Sequence, residues 1–85
     1  KHMETGKLYI KLKAYDSAKQ SYENVVNDYY DTKFYYDANL EIIRCLIFLG
    51  EKDKAKVFLK NFVTKEDSMI SSEFNKEALD IINNT

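Results

Sequence analysis

Tyr15-Asp16-Ser17-Ala18-Lys19-Gln20-Ser21-Tyr22 and Lys52-Asp53-Lys54-Ala55-Lys56-Val57-Phe58-Leu59 carry one pattern twice. In each, an Asp stands two residues before a small Ala, and a large apolar residue follows the Ala by four. The alanines are 37 residues apart. A repeat in so short a chain predicts stacked helical hairpins, which bury a core between units and leave function to a surface.

Downstream of Ala18 the apolar residues Tyr22, Val25, Val26 and Tyr29 keep helical spacing, with Lys19, Glu23 and Asn27 on the other side. Asp16 is the expected N-terminal cap of this second helix. Upstream, a first helix is expected over 4–13, with Leu8 and Leu12 as its apolar pair. The stretch from Asp28 to Lys33 breaks the chain, and Asp31 or Thr32 is placed to cap a third helix over 33–49. From Leu40 to Leu49 that helix is apolar nearly all round, so it is expected in the middle, packed on both sides. Gly50 closes it.

The second copy of the pattern opens a fourth helix, 52–63, presenting Ala55, Phe58, Leu59 and Phe62. After a break at 64–68, a fifth helix over 72–83 presents Phe74, Ala78, Ile81 and Ile82. Met69 and Ile70 are candidates for an earlier start. The resulting architecture is all-α: a right-handed stack of about two hairpins, 4–30 and 33–63, with a C-terminal capping helix at 70–83. Residues 4–85 form one domain, and Lys1-His2-Met3 reads as a cloning remnant.

Composition narrows the function. Hydrophobic residues make up 45% and charged residues 32% of the 85, which favours a folded chain. A formal net charge of −1 provides no electrostatic footprint for nucleic acid or anionic membrane. No apolar run reaches spanning length. The single histidine is His2, and the single cysteine, Cys45, lies in an apolar run and reads as a buried structural thiol. No triad, zinc site or phosphate loop can be assembled, and Glu66 with Asp67 reads as solvated loop charge. No catalysis, metal or cofactor is expected.

The spacing resembles the tetratricopeptide repeat, whose hairpins place small residues where helices cross. Gly6, Tyr9, Ala18 and Tyr22 fall on its signature positions in the first unit, and Leu46, Gly50, Ala55 and Leu59 do so in the second. Tyr30 replaces the motif's closing proline, and the period exceeds the standard ~34 residues. Residues 9–63, from LYIKLKAYDSAKQSYENVV to LGEKDKAKVFLKNFV, resemble the N-terminal repeats of the BamD family of outer-membrane lipoproteins.

That likeness implies a lipid-anchored protein on the periplasmic face of the outer membrane. It would bind a BamA-type barrel assembly protein and unfolded outer-membrane proteins. The family has about five repeats, with the BamA contact in the C-terminal ones. A generic tetratricopeptide adaptor, or a terminal fragment of a larger repeat protein, is the alternative.

In such stacks the first helix of each unit lines a concave groove. The groove-facing positions expected here are Lys7, Ile10 and Lys11, then Asp37, Leu40, Glu41, Arg44, Ile47 and Phe48. Lys11 and Arg44 are expected to pair a carboxylate of the ligand. Leu40, Ile47 and Phe48 also fit packing on the first or fifth helix, Ile47 more readily than the other two, and Leu40 and Phe48 fit burial in a dimer. Tyr29, Tyr30, Tyr35 and Tyr36 crowd the linker, where they wedge hairpins together or meet a partner.

Overall fold

A computed structural model describes residues 2–28, 33–66 and 68–84. Five helices follow in order: α1 (His2–Lys11), α2 (Tyr15–Asp28), α3 (Lys33–Phe48), α4 (Lys52–Lys65) and α5 (Ser68–Asn83). Each helix packs on the next, and α2 meets α3 across the linker as extensively as α1 meets α2 within the first hairpin. α3 also touches α1 and α5, so α1, α3 and α5 form one layer and α2 with α4 the other. The short dimension of 16 Å is that of two helix layers about 8–10 Å apart. This is an all-α, tetratricopeptide-like stack with α5 closing its C-terminal end.

The 37-residue step extends to single hydrogen bonds. At the α1–α2 turn, Lys13 N–H donates to the Ile10 carbonyl and Ala14 N–H to that of Tyr9, at 3.0 and 2.9 Å. At the α3–α4 turn, Gly50 N–H donates to Ile47 and Glu51 N–H to Leu46, at 3.0 and 2.8 Å. Both are Schellman closures, which satisfy the last carbonyls of a helix through a left-handed residue. Gly50 takes that conformation at φ 77° and Lys13 at φ 60°. Only glycine does so without a Cβ penalty. Lys13→Gly should therefore raise stability by ~1 kcal/mol and Gly50→Ala lower it by about as much. Urea denaturation of the two variants checks the signs, and matching signs would show the two turns are not equivalent.

The turn geometry corrects two expectations. α1 ends at Lys11 because the left-handed residue follows so closely. α2 starts at Tyr15, so Asp16 sits in its first turn. The cap position falls to Ala14, whose carbonyl accepts from Ala18 N–H at 3.0 Å, as Glu51 accepts from Ala55. Neither α2 nor α4 depends on a side-chain oxygen at Asp16 or Glu51.

The core runs through Ala18, Tyr22, Val25, Ala38, Ile42, Ile43, Cys45, Leu46, Ala55, Leu59, Phe62, Phe74, Ala78 and Ile82. The two alanines of the repeated pattern are fully buried, which is what lets the helices cross closely. Leu8 and Leu12 are exposed, contrary to their reading as the apolar pair of α1. Gly6 is buried instead, with Met3, Tyr9 and Ile10 packed on the core beside it. The reason is Tyr22, whose ring lies flat against Gly6 and fixes which face of α1 turns inward.

α5 begins at Ser68, four residues ahead of expectation. Ser71 Oγ donates to the carbonyls of Val63 and Glu66, at 2.9 and 3.1 Å, and so ties the start of α5 to the end of α4. Phe62 and Phe74 stack at 3.8 Å between ring centroids, and Tyr36 meets Phe74 edge-on at 5.5 Å. Tyr35 also packs on Phe62, so both described tyrosines of the linker region secure hairpins to each other. The capping roles given to Asp31 and Thr32, the wedging by Tyr29 and Tyr30, and the loop charge at Asp67 lie outside the described residues.

Cys45 is a free, fully buried thiol. Burial, reinforced by the nearby Glu41 carboxylate, pushes it up to about 11. The folded chain thus holds this proton where the unfolded chain has released it. Stability from Cys45 is complete below pH 9 and is lost between about pH 9 and 11, amounting to roughly 2 kcal/mol. Alkaline denaturation of the wild type and of Cys45→Ala checks this. The variant should lose less stability over that interval, and identical profiles would contradict it.

Candidate functional site

A depression of about 340 Å³ runs along the layer of first helices. α1 contributes Met3 and Lys7, α3 contributes Asp37, Leu40, Glu41 and Arg44, and α5 contributes Glu77, Asp80 and Ile81. Each helix turns this face outward because its opposite face is committed to α2 or α4. The repeat step explains the composition: Met3, Leu40 and Glu77 are equivalent positions, as are Lys7, Arg44 and Ile81.

Five of the nine residues expected at the groove are therefore brought together: Lys7, Asp37, Leu40, Glu41 and Arg44. The other four lie elsewhere. Ile10 and Ile47 pack against the core near the hairpin turns. Lys11 lines a shallow surface of α1 with Glu4, Lys7 and Leu8, so that Lys7 joins this surface to the groove. Phe48 stacks on Tyr15 of α2, with ring centroids 4.7 Å apart. A single helix turn separates Arg44 from Phe48, but α3 is ending there and the ring folds back towards α2.

Met3, Glu77, Asp80 and Ile81 were absent from the expected set. Carrying Leu40 and Arg44 one repeat forward and one backward recovers Met3, Glu77 and Ile81; Asp80 has no such signal.

The electrostatics differ from expectation. Four carboxylates, Asp37, Glu41, Glu77 and Asp80, face two cations, Lys7 and Arg44. Arg44 Nε already pairs with Glu41 Oε1 of its own helix at 3.2 Å. Glu77 is held in place by Tyr36, whose hydroxyl donates to its Oε2. Burial and then this bond raise the Tyr36 hydroxyl far above the ordinary tyrosine value, so it stays protonated as the donor. Lys11 and Arg44 do not line the same hollow; Lys7, which borders both hollows, is the cation that stands beside Arg44. Among the described residues no group of His, Cys, Asp and Glu is placed to hold a metal ion. No helix among them is long and apolar enough to cross a membrane.

Two layers of antiparallel helices with a groove along one of them define the class of helical-repeat interaction scaffolds. Residues 3–31, which span α1 and α2, match the family described as Tetratricopeptide repeat. No curated protein and no solved structure matches the chain significantly.

Proposed function

We propose that this protein is an interaction module that receives a segment of a partner protein in the groove along α1, α3 and α5. The observation that carries the proposal is the convergence of Leu40 and Ile81 with charged neighbours on one concave face. A concave surface of this size, with charged side chains around a few apolar ones, suits a short peptide stretch. Repeats of the tetratricopeptide kind serve as non-catalytic scaffolds, and the buried, protonated Cys45 offers no nucleophile.

The BamD resemblance of residues 9–63 supplies a particular setting: the periplasmic face of the outer membrane, an N-terminal lipid anchor, and a role in barrel protein assembly with a BamA-type partner. Its support is the sequence likeness alone. The second reading is a generic tetratricopeptide adaptor. The acidic balance of the groove favours it, because a carboxylate-ended barrel segment would meet four carboxylates there.

A photoreactive residue at position 40 in the full-length protein, activated in its own cells, tests both. Capture of an outer-membrane barrel protein with periplasmic domains would support the BamD setting. Capture of specific partners with the protein absent from the outer membrane would reduce the function to the adaptor. If position 40 captures nothing while the same group in α4 does, the groove is not the binding surface.

A further inference from the structure

We infer that the groove selects an extended peptide segment that carries a basic residue at every second position. The inference rests on the groove reading above and adds the chemistry of the partner.

Arg44 and Glu41 pair with each other, and the three remaining carboxylates against Lys7 leave the groove an acidic surface. A cationic side chain arriving there gains attraction, whereas an anionic one meets like charge. Leu40 and Ile81 lie among the carboxylates. Asp37 and Glu41 stand one helical turn apart on α3, and Leu40 lies between them in sequence. Side chains one turn apart are separated by ~5–6 Å. Alternate side chains on one side of an extended chain are spaced by nearly the same amount, ~6.7 Å. Basic side chains at alternate positions share one face of the segment and can address Asp37 and, in competition with Arg44, Glu41, while the intervening residue points to the opposite face.

The depression is long enough for such a segment. It shares Asp37 and Glu77 with a second hollow of about 520 Å³ at the N-terminal ends of α3 and α5, whose walls add Met69, one carboxylate, Glu73, and one cation, Lys33. Met69 is 80% exposed there and supplies an adaptable apolar contact. Glu77, at the junction, is oriented before any partner arrives by Tyr36, which Phe74 anchors edge-on in the core. Fixing a contact group in advance lowers the ordering cost of binding.

Titration calorimetry on the full chain with three eight-residue peptides tests the inference: alternating Lys–Leu, Glu–Leu and Ser–Leu. The Lys–Leu peptide should bind at least about tenfold more tightly than the other two, and weaken with added salt. Asp37→Asn combined with Asp80→Asn should reduce its affinity by roughly three- to tenfold. Asp53→Asn, on α4 away from the groove, should leave it unchanged.

Equal loss with Asp53→Asn would overturn the inference, because attraction would then be general. Preference for Glu–Leu would overturn the charge assignment while leaving the groove as the binding surface. Failure of Lys–Leu to bind at roughly millimolar concentration would likewise overturn it. The groove reading itself would then stand or fall on capture at position 40.

Discussion

Phe74→Ala is expected to cost ~3–5 kcal/mol and to loosen α5 before the rest of the chain. Phe74 is fully buried and joins three elements: it stacks on Phe62 of α4, meets Tyr36 of α3 edge-on, and belongs to α5. α5 packs only on α3 and α4, and no following helix covers its other side among the described residues. Removing the ring takes away the largest buried group of α5 and leaves a hole that three backbones would have to move to fill. A domain this size has ~5–15 kcal/mol of stability, so the variant would stand near the unfolding threshold.

Hydrogen exchange should show the loss concentrated in α5, with α2 less affected. Because Glu77, Asp80 and Ile81 lie on α5, peptide binding should fall with it. A loss under about 1 kcal/mol, or one spread evenly over all helices, would contradict this account of how the groove's third wall is held.

Gly6→Ala is expected to destabilise by ~1–3 kcal/mol, although alanine is the better helix former. A Cβ at position 6 would lie 2.5 Å from Tyr22 Cζ and 2.8 Å from each Cε. Tyr22 is completely enclosed, so the ring cannot step aside without moving α1. The intrinsic gain of alanine over glycine, ~1 kcal/mol, offsets only part of the clash.

The second unit solves the same crossing differently, with Ile43 and Leu59 at the positions equivalent to Gly6 and Tyr22. Both are buried, so a side chain on the first helix is compatible with a smaller one on the second. Tyr22→Leu should therefore relieve much of the Gly6→Ala penalty, and a double-mutant cycle should return a favourable coupling. Simple addition of the two costs would mean that the ring does not set the approach of α1 to α2. The Tyr22 hydroxyl, buried and without a hydrogen-bond partner among the described residues, adds no polar contact that this exchange would forfeit.

The repeat was legible because its determinants are local. Ala18 and Ala55 mark the crossings, and a left-handed residue at positions 13 and 50 sets both turns, so one sequence step predicts whole hydrogen-bond patterns. α1 was harder to read. Leu8, Tyr9, Ile10 and Leu12 offer apolar side chains in several directions over barely three turns, so periodicity alone leaves the inward face open. The choice is made by a long-range fact, the ring of Tyr22 lying on Gly6.

The groove was half legible for a related reason. Lys7, Asp37, Leu40, Glu41 and Arg44 follow from the repeat register, and they carry a nearly balanced charge. Its acidic character comes from Glu77 and Asp80 on α5, whose place depends on the Phe62–Phe74 stack and the Tyr36–Glu77 bond. The Glu41–Arg44 pair is legible from its spacing of three residues on one helix, and it places Arg44 Nε against a carboxylate of its own helix.

The central claim is that the concave face of α1, α3 and α5 is the binding surface. An amide NMR titration of the full chain with the alternating Lys–Leu peptide tests it most directly. The account predicts saturable shifts clustered at Met3, Lys7, Asp37, Leu40, Glu41, Glu77 and Asp80, with the outward faces of α2 and α4 unmoved. Shifts confined to α2 and α4, or none as the peptide approaches millimolar concentration, would contradict it.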